Sequence, residues 1–147
     1  MYKFSLLACA VILIAAVLAA SSCSETNQSS NGAHTHSPAG LTLNDGKKWQ
    51  ADQHTREGML GIRQAMTTKP VNSPVEMRNL GRDLQQRLKE LVAGCTMTGE
   101  AHNQLHVFLE EFIPATDSLS SQQDEEKARE TLAEMHHMLE RYYEHFE

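Results

Sequence analysis

The chain is 147 residues long, enough for one domain with attachments, and carries 13 Lys and Arg against 19 Asp and Glu for a net charge of −6. That balance excludes nucleic-acid recognition through a basic surface, because phosphates need clustered cations. Aromatic residues make up 5% with a single Trp, so bases find no stacking platform and the core must come from Leu, Met, Val, Ile and Ala.

Residues 1–22 read as an export signal. Lys3 is a short basic start, Leu6 to Ala20 is a nearly unbroken apolar run, and small residues precede Cys23. Ala20-Ser21-Ser22-Cys23 resembles the lipobox of bacterial lipoproteins, with Ala where Leu is more usual. The resemblance implies cleavage just before Cys23, which then receives diacylglycerol and an N-acyl chain and ties the protein to a membrane. Leu6-Leu7-Ala8-Cys9 matches the pattern better, but no apolar segment precedes it to enter the membrane. The alternatives are a soluble secreted protein cut near Ser22 or an uncleaved apolar helix. Several acyl chains anchor firmly, since each buried methylene contributes about 0.8 kcal/mol. Ser24 resembles the outer-membrane sorting pattern, so the expected address is the cell envelope at the outer membrane. Residues 23–40 form the anchor and a polar tether that buries too little apolar surface to offset ordering. His34 and His36 in that tether fit a linker's composition better than a metal trap.

Residues 41–147 predict an all-α domain, an antiparallel four-helix bundle. Asn44-Asp45-Gly46 signals a turn, and Trp49 is placed to plug one end of the core. Asp52 caps a first helix running to about Thr67, with Met59, Ile62 and Met66 spaced three and four. Gly58 and Gly61 each weaken it by about 1 kcal/mol relative to Ala, or else allow close helix contact. Pro70 breaks the chain, and Ser73-Pro74-Val75-Glu76 combines a capping box with proline at the first helical position. The second helix lines up Met77, Leu80, Leu84, Leu88 and Leu91, and Gly94 ends it in the C-terminal role of glycine. The third runs from about Gly99 to Thr116, capped by Thr98, with Leu105, Phe108, Leu109 and Phe112 on its apolar stripe. The fourth follows Ser120 or Ser121 and carries Ala128, Leu132, Met135, Leu139, Tyr142 and Phe146.

The stretch with most chemistry is Cys95 to Leu109, C-T-M-T-G-E-A-H-N-Q-L-H-V-F-L. With Cys23 lipidated, Cys95 has no partner within the chain, and an unpaired thiol in an oxidising compartment is a metal ligand, a redox thiol, half of an intermolecular disulfide or a buried residue. His102 and His106 stand four apart on one helix, the first inside the apolar arc and the second at its edge. Thiolate, thioether and two imidazoles from Cys95, Met97, His102 and His106 suit a soft or borderline metal ion. Cys95 with Met97 favours copper(I), and Cys95 with both histidines and one further ligand favours zinc. The competing reading keeps Cys95 and His102 as packing residues and His106 as a solvated one. Met135, His136, His137 and Met138 form a second string, but helical geometry spreads it around the axis rather than on one chelating face.

No enzymatic activity is expected. Asn103 follows His102 where zinc proteases need Glu, there is no C-x-x-C-H attachment for haem, and no nucleophile–base–orienter set is visible. L-N-D-G-K-K-W and C-x-M-x-G-x-x-H-x-x-L-H-x-x-L, spanning Leu43 to Ile113, resemble small exported bacterial lipoproteins with helical-bundle domains. That resemblance implies a defined domain with a motif at Cys95, and it supplies no activity and no ligand set. Three readings follow: a membrane-anchored metal buffer or resistance accessory, a metal-free module that meets an envelope protein through its surface, and, last in rank, an enzyme or a haem bundle with histidine or methionine as axial ligand.

Overall fold

Asp52, at the start of the first apolar stripe, accepts the Thr55 N–H at 2.7 Å and opens α1, Gln53–Thr67. This capping is visible in a computed structural model that describes residues 40–68 and 70–147, all within the unit Thr35–Glu147. The export signal, the lipobox at Cys23 and the tether with His34 and His36 lie outside the described residues, Gly40 excepted. The domain is all-helical, with α2 at Pro74–Gly94, α3 at Gly99–Ser121 and α4 at Glu125–His145. Among the described residues there is no strand beyond two isolated bridges, and no helix long and apolar enough to cross a membrane.

α2 is the central element, packing against α1, α3 and α4, while α3 also packs against α4. Its capping box forms as its sequence dictates. The Ser73 hydroxyl accepts the Glu76 N–H at 3.3 Å, and the Glu76 carboxylate accepts the Ser73 N–H at 3.1 Å. Met77, Leu80, Leu84, Leu88 and Leu91 are all buried, and sealing each from water contributes roughly 1.5–3 kcal/mol. They meet Met59, Ile62 and Met66 of α1, Leu105, Phe108, Leu109 and Phe112 of α3, and Met135, Leu139 and Tyr142 of α4 in one core. Leu132 is only half-buried.

Several helix ends differ from the expectation. Gly94 is the last helical residue and keeps an ordinary negative φ, and the exposed His54 ring lies over it, 2.2 Å from where a Cβ would stand. Thr98 stands at the N-cap of α3 without a side-chain hydrogen bond, and the tight entry is made by Gly99 at φ +67°. α3 runs past Thr116 and through Pro114 to Ser121, because Thr116 and Leu119 extend its buried stripe. α4 begins after Asp124, whose carboxylate accepts the N–H groups of Glu126 and Lys127, rather than after Ser120 or Ser121.

The segment before α1 is stitched to the chain's end. Trp49 donates its N–H to His145 O at 2.7 Å, Glu147 donates to Trp49 O, and Ala51 donates to Glu147 O, both at 3.0 Å. Ala51 and Phe146 are buried by this pairing, whereas Trp49 is half-buried and donates its indole N–H to Thr42 O at 2.6 Å.

Candidate functional site

Cys95 caps the end of α2, and Thr96, Met97 and Thr98 carry the chain into α3. Met97 is buried at 9% exposure and belongs to the core, while Cys95 is half-buried and packs against it. His102, one turn into α3, is half-buried and His106 is exposed. The helical spacing of four brings their rings edge to face, with centroids 4.5 Å apart at 73°.

Three of the four residues expected to hold metal fall into a row. Cys95 Sγ lies 3.8 Å from His102 Nδ1, and His102 Nε2 lies 2.9 Å from His106 Nε2. His102 thus presents one ring nitrogen to the thiol and the other to its neighbour. A tetrahedral zinc with Zn–S near 2.3 Å and Zn–N near 2.0 Å holds those two donors about 3.5 Å apart, near the Cys95–His102 separation. Across the described residues, no three His, Cys, Asp or Glu side chains converge as a metal-holding group. A thiol with an imidazole nitrogen at that distance can chelate a soft cation. The row also has the order nucleophile, base, orienter, an alignment that spacing along the chain does not reveal.

The link that carries Cys95 and Met97 is held from α1. Asp52, besides capping α1, accepts both the Thr96 N–H and the Thr96 hydroxyl at 2.6 Å through its second oxygen. Burial alone raises the Asp52 carboxyl, but the hydrogen bonds from Thr96 and Thr55 outweigh it and keep the group well below the ordinary carboxylate range. A second tie joins Thr42 N–H to Gln104 Oε1 at 2.9 Å, and the buried Gln104 donates in turn to Glu100 at 3.0 Å. The two stretches singled out in the sequence, around Trp49 and around Cys95, therefore meet through Thr42–Gln104 and Asp52–Thr96. Beneath them lies Tyr142, stacked on Phe146 at 4.7 Å and tilted against Phe108 at 5.1 Å. Burial pushes its phenol up, Tyr143 and Asp52 add to the effect, and Cys95 is a lesser neighbour.

Sequence reasoning missed the second task of Asp52 and the contribution of His54, whose ring covers Gly94 and whose Nε2 lies 3.1 Å from Glu90 O. Asp52 had a sufficient local explanation as a cap, and His54 sits on an exposed face without periodic meaning. The second histidine string disperses as helical geometry requires. His137 faces Glu140 at 3.4 Å, Met138 packs on the core, and His136 opens into a groove of about 600 Å³ with Lys48, Arg63 and Tyr143. No family model, curated protein or solved structure matches the chain.

Proposed function

We propose that this chain is an exported envelope protein, lipid-anchored at Cys23 and folded as an antiparallel four-helix bundle. It binds one soft or borderline metal ion, copper or zinc, as a buffer or resistance accessory rather than as an enzyme. The observation that carries the reading is the 3.8 Å between Cys95 Sγ and His102 Nδ1. That distance is near the sulfur–nitrogen span of a tetrahedral metal. The Asp52–Thr96 bonds support it too, since they fix the link on which the thiol sits. The sequence also nominates Met97, whose thioether favours copper(I), and His106, which stands against the outer nitrogen of His102 at 2.9 Å.

Elemental analysis of the mature protein, purified untagged and without chelators, should find about one copper or zinc per chain. Cys95→Ala combined with His102→Ala should remove most of the affinity. Unchanged stoichiometry in that double variant ends the metal reading. The alternative, a metal-free interaction module, draws on one observation: exposed Val92 and Ile113 border an apolar trough of about 610 Å³ between α2 and α3. It expects no metal uptake, and loss of a partner when Val92 becomes charged.

A further inference from the structure

Resting on the metal reading above, we infer that His106 is the outer partner of the site and not a ligand, holding His102 in the tautomer that turns a bare Nδ1 toward Cys95. A neutral imidazole has one N–H and one lone pair, and the two nitrogens of His102 face different neighbours. The Nε2–Nε2 separation of 2.9 Å is a hydrogen bond, so one ring donates and the other accepts. A metal beside Cys95 takes the lone pair of His102 Nδ1. The single proton of His102 then resides on Nε2, and His106 Nε2 is the acceptor.

The alternative, both rings on one ion through these nitrogens, conflicts with the geometry. Two imidazoles on a tetrahedral zinc keep their nitrogens about 3.3 Å apart with both lone pairs aimed at the metal. Here the nitrogens are 2.9 Å apart and directed at each other, while the far side of the His102 ring meets the thiol. A metal-binding histidine usually donates its second ring N–H to a neighbouring acceptor, which fixes the ring and raises its basicity. His106 is in the place of that acceptor. The spacing of four on α3 sets it there without any further contact to the ion.

The test uses the full chain in detergent, with cobalt(II) as a spectroscopic stand-in for zinc(II), and competition titrations with zinc(II) and copper(I). Cys95→Ala should abolish the thiolate-to-cobalt charge-transfer band, and His102→Ala should abolish uptake. His106→Ala should keep the band and the stoichiometry but weaken binding about 10–100-fold, and His106→Gln, which restores an acceptor, should recover part of that loss. His106 is exposed, so both variants should fold. In the metal-free chain, nitrogen-15 shifts should show His102 protonated at Nε2, a preference lost in His106→Ala. A His106→Ala variant that binds like wild type, or that loses uptake as completely as His102→Ala without rescue by Gln, overturns the inference and leaves the metal reading standing. His102 protonated at Nδ1 overturns it as well. Wild-type uptake by both Cys95→Ala and His102→Ala removes the metal reading itself, and the tautomer measurement still decides whether His106 holds the ring.

Discussion

Asp52 serves two structures with one carboxylate: Oδ1 caps α1, and Oδ2 grips the link between α2 and α3. Because hydrogen bonding lowers its folded pKa below the unfolded value near 3.9, its contribution is full above that value and is lost as pH falls through the depressed folded one. Glu76, held by Asn72 and Ser73, and Glu100, held by Gln104 and Asn103, shift in the same direction. Acid unfolding followed by circular dichroism should therefore steepen below about pH 4. Asp52→Asn should flatten that slope, and Asp52→Ala should cost about 0.5–2 kcal/mol at neutral pH through the cap alone. An Asp52→Asn acid profile that overlays wild type would show that the carboxylate has no such role. The cap was legible in the sequence because it concerns residues three apart. The grip on Thr96 was not, since a hydrogen bond between residues 44 apart in the chain leaves no periodic trace.

At the scale of the helices, glycine separates two kinds of close approach. A Cβ on Gly81 of α2 would lie 2.5 Å from the Ser120 backbone N of α3, and neither backbone can yield without shifting a helix. One on Gly94 would meet first the His54 ring, an exposed side chain free to turn away. Gly81→Ala should thus destabilise by about 1–3 kcal/mol through overpacking, whereas Gly94→Ala should stay near neutral as helix propensity offsets the lost His54 contact. Thermal melts of the two variants check the contrast, and equal midpoints would refute it. The same scale shows where sequence reading stops. The stripes of α1 and α2 were legible because apolar residues at three and four spacing are also the buried ones. α3 was expected to stop near Thr116, yet Thr116 and Leu119 continue the stripe of Phe112 into the core as far as Ser121, and burial outweighs the N–H that Pro114 lacks. The start of α4 was misplaced for a related reason. Serines and Asp124 are all good caps, and only the folded chain selects among them.

At the scale of the whole domain, the residues just after α4 close one end of the core. Phe146 lies just beyond α4, buried against Tyr142, with its backbone paired to Trp49. Phe146→Ala should cost about 3–5 kcal/mol and lower the melting midpoint by roughly 10–20 °C, far more than removing an exposed residue of α4. A midpoint within a few degrees of wild type would mean that the end of the chain does not close the core. Phe146 was legible as a member of the apolar stripe, whereas Trp49, expected to plug one end of the core, packs against it only half-buried. That the two meet could not be read, because parallel pairing of single residues nearly a hundred apart carries no local signature.

The clasp between Ala51 and Glu147 has a practical corollary. Any peptide fused behind Glu147 emerges one residue from the carboxylate that grips Thr96, at the same rim of the fold as the thiol. A polyhistidine handle at that spot would hang a string of competing imidazoles over the very donors being assayed. Dialysis would then credit the bundle with ions that the handle had caught.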